Sequence, residues 1–218
     1  MHRENLILSE LMERYPSLSV CKDNINKAYE LMKGAFASNG KLLVAGNGGS
    51  AADSEHIVGE LMKGFVKKRE IPESDKKAIE AVNAEYAKSL NQNLQGALAA
   101  IALTGHPALS TAYLNDVDGT LGFAQQVYGY GNKEDVFLGI TTSGNSQNIL
   151  YAMTVAKAKG LYTIALTGGT GGKVKELADA CIIVPETETY KIQELHLPIY
   201  HALCLMLEDT FFDDKEDK

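Results

Sequence analysis

Residues 41–53, KLLVAGNGGSAAD, decide the fold. Lys41–Gly46 is a short apolar run with no polar alternation, and a Gly-rich turn follows it and opens onto a helical pattern. A run of this kind reads as a strand buried on both faces. Working outward, four more such runs recur: Ala97–Thr104 (ALAAIALT), Val136–Thr142 (VFLGITT), Tyr162–Thr167 (YTIALT) and Cys181–Pro185 (CIIVP). Helical patterns separate them. In Ser146–Lys159, for example, Ile149, Met153 and Ala156 fall near one face. Ahead of the first run, Lys22–Ala37 carries Ile25, Ala28, Leu31, Met32 and Phe36 at helical spacing and ends in Ser38, Asn39 and Gly40. Apolar strands alternating with helices predict an α/β fold whose parallel sheet is covered on both faces and whose crossovers are right-handed.

The chain has 218 residues, 45% of them hydrophobic and 22% charged, which fits one globular domain, 1–218, with a helical N-terminal region over residues 1–40. Residues 66–96 lengthen the link between the first two strands and read as an inserted helix or hairpin. The charged tail Asp213–Lys218 reads as a frayed end. Met1–Glu13 mixes charges into its apolar residues, and no stretch approaches the ~20 apolar residues of a membrane span. A cytoplasmic location with no membrane partner is the expectation. With 28 acidic against 21 basic residues, the net charge of −7 argues against a broad nucleic-acid footprint. The densest basic cluster, Lys63, Lys67, Lys68 and Arg69, runs straight into the acidic stretch Glu70–Asp75 and reads as solvated surface. Cys21, Cys181 and Cys204 have no metal-binding spacing and read as buried thiols in a reducing compartment.

Two turns carry candidate chemistry. The first, Gly46 to Asp53, satisfies GxGxxA, yet the next strand starts only near Ala97, too far for a dinucleotide-binding unit. A nucleotide P-loop is also excluded, because no Gly-Lys-Ser/Thr follows. What remains is a turn whose glycines let backbone N–H groups approach a ligand at a helix start. The second turn is Thr141-Thr142-Ser143-Gly144-Asn145-Ser146. Four hydroxyls and free amides at a helix start can surround a phosphate with neutral donors, whereas the plain alternative is a Ser N-cap at Ser146. Both turns lie at the carboxyl ends of strands, where open α/β sheets bind ligands.

On the helix after the first turn, His56 and Glu60 are four residues apart and about 40° apart around the axis. The final helical segment carries Gln193, His196 and His201. Gln193 and His201 lie about 80° apart and can line one site, while His196, about 140° from His201, faces elsewhere. Pro198 between them removes one helical hydrogen bond and predicts a kink.

GNGGSAAD with His56-Ile-Val-Gly-Glu60, then TTSGNS, then IQELHLPIYH, in this order, resemble the sugar isomerase (SIS) domain family, and specifically its phosphoheptose isomerase branch. TTSGNS alone indicates only a phosphosugar-binding SIS domain; His56, Glu60, Gln193 and His201 together point to the heptose branch. The resemblance implies a flavodoxin-like three-layer α-β-α sandwich with a five-stranded parallel sheet. It implies a homotetramer with active sites between subunits. The activity it implies is the isomerisation of sedoheptulose 7-phosphate to D-glycero-D-manno-heptose 7-phosphate. Phosphate would be held by Ser50, Thr141, Ser143 and Ser146, with Asn47 nearby; Gly48, Gly49 and Thr142 in the same two turns are further substrate-binding candidates, and Asn115 and Asp116 match a pair near the sugar. Glu60 matches the base and His201 its acid/base partner. His56, Glu60, Gln193 and His201 match positions that hold zinc in some members, and Gln193 also matches a substrate contact. The chemistry suits these groups: a carboxylate can move a proton between C1 and C2 of an enediol while an imidazole serves the oxygens. Zinc with N and O ligands could hold the enediolate oxygens.

This sequence departs from the pattern in three places: the longer 66–96 segment, Ala51 where some members have His, and Tyr190 where well-known members have Asp. Two other readings stand beside the first, an isomerase of a different ketose phosphate and a non-catalytic SIS protein that binds a phosphosugar or the replication initiator.

Overall fold

Five strands form where the apolar runs predict them. The computed structural model describes residues 3–212, so the tail Asp213–Lys218 lies outside the described residues. The strands are β1 (Leu42–Gly46), β2 (Ala100–Ala102), β3 (Val136–Ile140), β4 (Tyr162–Gly168) and β5 (Ala180–Val184). They form one sheet in the order β2-β1-β3-β4-β5, and every pairing is parallel. This is the flavodoxin-like order, whose switch point falls between β1 and β3. The second strand is shorter than its apolar run. As an edge strand it pairs with β1 over three residues only, while Leu98 N–H bonds to Leu61 C=O instead.

Residues alternate across the sheet, as the pleat requires. Leu42, Val44, Leu138, Ile140, Ile164 and Leu166 pack on one side against α1 (Arg3–Arg14), α2 (Lys22–Ala37), α3 (Gly49–Met62) and α10 (Thr189–Phe211). Leu43, Ala45, Phe137 and Ala165 pack on the other side, where α7 (Gly122–Tyr130), α8 (Gln147–Ala158) and the short α9 (Val174–Leu177) contribute Val127, Ile149, Met153 and Val174. Helix α2 has the bounds that its periodicity predicts. Helix α10 runs for 23 residues with Pro198 inside it; proline has no N–H to return to the Glu194 carbonyl. Among the described residues no helix is long and apolar enough to cross a membrane.

The inserted segment is a pair of helices, α4 (Glu73–Val82) and α5 (Ala84–Asn93), closed at its base by an antiparallel bridge between Glu70 and Gln95. Helix α4 buries no residue and α5 buries only Ala87. The basic cluster before it is not uniformly solvated surface. Lys63 and Lys68 are exposed, but Arg69 is 1% exposed and donates from Nε to Glu208 Oε1 at 2.7 Å. Its Nη1 and Nη2 donate to the Leu61 and Glu60 carbonyls, which are among the orphan acceptors at the end of α3. Phe212 stacks under the guanidinium at 4.6 Å. Glu208 also accepts backbone N–H bonds from Phe65 and Val66 at 2.8 and 2.9 Å. Burial works to raise its pKa, but these amides and Arg69 outweigh it and hold the carboxyl below its ordinary range.

Cys21, Cys181 and Cys204 are free; Cys21 and Cys204 are buried and Cys181 is half-buried. Burial pushes the Cys204 thiol up to about 12.

Candidate active site

Strands β1 and β3 are hydrogen-bonded neighbours, so the two candidate turns leave the sheet side by side at its switch point. In the first turn Ser50 N–H bonds back to the Asn47 carbonyl, and α3 starts at Gly49. A Cβ on Gly49 would lie 2.5 Å from Gln193 Nε2, so a glycine here lets Gln193 of α10 pack directly on the turn. Gly48 is exposed and Ser50 is 3% exposed.

In the second turn the Ser146 hydroxyl makes no helix-capping bond; it bonds to the Thr141 hydroxyl at 2.9 Å instead. The plain Ser-cap reading therefore does not account for it. Ser143 is exposed, its hydroxyl accepting from Asn145 N–H, and Thr142 is half-buried. Gly144 has φ +67°, and a Cβ there would run into the Gly171 carbonyl of a third Gly-rich loop. The two turns are joined directly: the Asn47 and Asn148 carboxamides exchange two hydrogen bonds, at 3.0 and 2.8 Å.

Helices α3 and α10 bring the acid–base residues together. Asp53, His56 and Glu60 fall at i, i+3 and i+7 on one face of α3. His56 Nε2 lies 3.3 Å from Glu60 Oε1, and Lys63 Nζ donates to Glu60 Oε2 at 2.9 Å. The rings of His56 and His201 are 5.1 Å apart and nearly perpendicular, and Phe65 packs on His201 at 5.4 Å. His201 Nε2 is buried with no hydrogen-bond partner. Burial lowers the His201 pKa, His56 adds to the lowering and Glu60 opposes it. His196 is fully buried with Nε2 3.3 Å from the Thr167 carbonyl, which matches the helical angle that turns it away from His201.

A family model described as "SIS domain" matches residues 10–95 and 78–168. Phosphoheptose isomerase of Nitratiruptor sp. is 40% identical over 177 residues, 81% of each chain, and that of Helicobacter pylori is 35% identical over 211 residues, covering 97% of this chain and 95% of its own. The solved phosphoheptose isomerase of Neisseria gonorrhoeae superposes with a TM-score of 0.72 at 30% identity, covering 94% of this chain and 97% of that one. The chain belongs to the SIS domain family, in its phosphoheptose isomerase branch.

Not every residue that the SIS resemblance singles out joins this cluster. Asn115 and Asp116 end α6 (Pro107–Asp116), are exposed, and bond to each other at 2.7 Å. Tyr190, at the start of α10, is 58% exposed beside Glu188 and Lys191. A tetrahedral zinc site needs N, O or S ligands at about 2.0–2.3 Å. Among the described residues no three His, Cys, Asp or Glu side chains converge in this way. Both ring nitrogens of His56 already face partners.

Sequence reasoning passed over Asp53, Tyr200, Asn148 and Phe65. Asp53 had a signal, its i, i+3 spacing to His56. Tyr200 had none, since a tyrosine in an apolar helix reads as core.

Proposed function

We propose that this SIS protein interconverts sedoheptulose 7-phosphate and D-glycero-D-manno-heptose 7-phosphate through an enediol. The observation that carries the proposal is the single cluster of Glu60, His56 and His201, formed by α3 and α10 beside two turns rich in neutral donors. The phosphate would sit on the amides of Gly48 and Gly49 and on the hydroxyls of Ser50, Thr141, Thr142, Ser143 and Ser146, with Asn47 and Gln193 at its edge. Glu60 would take the proton from one of C1 and C2 and return it to the other. His201, held neutral by burial, would move protons between the substrate oxygens. Each such group contributes typically ~10²–10⁴-fold. Glu60→Gln and His201→Asn should each lose activity on this scale in a coupled assay, and full activity in either variant would refute its role. Turnover of several ketose phosphates side by side identifies the sugar.

Two further proposals belong to this reading. Asn115 and Asp116 make no contact with the cluster, which is consistent with a homotetramer in which they complete a neighbour's site. Zinc held by His56, Glu60, Gln193 and His201 would give the buried, unpartnered His201 Nε2 a partner, and metal analysis of the purified protein tests it. The three free thiols favour a cytoplasmic location.

A further inference from the structure

The two turns of the candidate site are each tied to a different part of the molecule. Strand pairing between β1 and β3 ends at Gly46 and Ile140. Beyond it, Thr141 N–H bonds to the Leu166 carbonyl of β4, and the Asn47 carbonyl accepts from Ser50 N–H within its own turn. The loop after β4 holds the second turn from the side away from β1: Val174 N–H donates to the Gly144 carbonyl at 3.0 Å and Lys173 N–H to Asn145 Oδ1 at 3.1 Å. The first turn rests instead on Gln193 of α10, through Gly49. Among the described residues no backbone hydrogen bond joins residues 47–50 to residues 141–148. Side chains close the gap. Asn47 Nδ2 donates to Asn148 Oδ1 at 3.0 Å, and Asn148 Nδ2 donates to Asn47 Oδ1 at 2.8 Å.

Counting donors and acceptors fixes the orientation of this pair. A carboxamide has two N–H hydrogens and two oxygen lone pairs. Ile149 N–H, at the start of α8, also donates to Asn148 Oδ1 at 3.0 Å. That oxygen therefore accepts twice, and exchanging it with the nitrogen would set N–H against N–H. With Asn148 pinned by the helix start, Asn47 has one arrangement that returns both bonds. Each nitrogen keeps a hydrogen outside the pair, whereas both lone pairs of Asn148 Oδ1 are occupied. The pair thus offers its surroundings more donors than acceptors, the balance that an anion needs.

We propose that Asn148 is a positioning residue: through Asn47 it holds the β1 and β3 turns at the one spacing where donors of both reach a single phosphate. The proposal rests on the reading that these two turns share the phosphate of the substrate. The first turn supplies the Gly48 and Gly49 amides and the second the Ser143 and Ser146 hydroxyls. Such bonds need donor–acceptor distances of roughly 2.5–3.2 Å, so turns that drift apart serve the phosphate from one side only. The phosphate is on C7, remote from the C1 and C2 that react. The clamp therefore acts on bound substrate and transition state alike, and its loss is read in KM rather than in kcat.

The test is a double-mutant cycle over Asn47→Ala, Asn148→Ala and the two combined, read as the inhibition constant of inorganic phosphate and as KM and kcat with sedoheptulose 7-phosphate. Asn148→Ala should weaken phosphate and raise KM by about 10-fold, the scale of one or two ordinary hydrogen bonds, while kcat stays within about three-fold. Adding Asn148→Ala to Asn47→Ala should change the phosphate constant by less than about two-fold, because Asn148 acts through Asn47. A merely structural loss in α8 would add to the effect of Asn47→Ala instead. Wild-type phosphate affinity in Asn148→Ala, a loss carried by kcat at unchanged KM, or single effects that multiply in the double variant would each overturn the proposal while the functional reading stands. A wild type that neither binds inorganic phosphate nor turns over the phosphosugar would refute the functional reading itself, and the clamp with it.

Discussion

Acid should unfold this protein through a histidine that takes no part in its chemistry. His196 sits at 0% exposure with Nε2 near the Thr167 carbonyl and Nδ1 buried without a partner. Burial brings its pKa down from the ordinary 6.5 to about 4, a change that the Thr167 contact only partly opposes. In the unfolded chain the same ring protonates near 6.5, so between about pH 6.5 and pH 4 the unfolded state binds the extra proton. Stability contributed by the neutral ring is then full above pH 6.5 and lost as pH falls toward 4. At about 1.36 kcal/mol per pH unit, the drop from 6.5 to 4 amounts to about 3 kcal/mol. The assay is urea unfolding of the wild type and His196→Phe at pH 7 and near pH 4.5, at fixed protein concentration because an assembly would shift both midpoints. Phe lacks the titration, so its stability should fall less between the two pH values, by most of that about 3 kcal/mol. Other groups titrate equally in both proteins and cancel in the difference. Parallel pH dependences would refute the reasoning and mean that the folded protein accommodates the proton on His196.

The Arg69–Glu208 pair gives a second expectation. Arg69→Met leaves a carboxylate at 0% exposure without its cation, which should cost about 3–5 kcal/mol in chemical denaturation, and Arg69→Met combined with Glu208→Leu should recover part of the loss. A third concerns the insertion: because α4 buries no residue and α5 only Ala87, replacing residues 73–93 by a short Gly/Ser linker should leave Tm within about 4 °C of the wild type. A larger fall would show that the helix pair stabilises the body of the protein.

The sheet was legible because a strand covered on both faces must be apolar along its whole length, a local property of the chain. Helix α2 was legible for a similar reason, since its stripe of Ile25, Ala28, Met32 and Phe36 meets one continuous core. The bounds of β2 were not, because Ala97–Ala99 is as apolar as the strand itself and only the reach of its β1 partner decides where pairing stops. That two donor-rich turns would lie side by side at strand ends could be read from the sequence. Arg69 could not: locally it belongs to a run of surface cations, and the partner that buries it is 139 residues away. Tyr200 was hidden in the opposite sense, as an apolar-helix residue whose one polar atom matters only once Asp53 and His56 face it.

These long-range contacts share one consequence. The proposed reaction needs Glu60 on α3 and His201 on α10 at a fixed separation, and among the described residues no backbone hydrogen bond joins the two helices. Side-chain connections span the gap instead. Tyr200 reaches Asp53 and His56, Gln193 rests on Gly49, and Glu208 holds Arg69, which in turn grips the Glu60 and Leu61 carbonyls. A buried ion pair is a weak source of stability compared with apolar packing. Its placement here, on the carbonyl of the proposed base itself, gives it a different use: it sets where α3 ends relative to α10, and with that the distance between the two groups that must share one substrate.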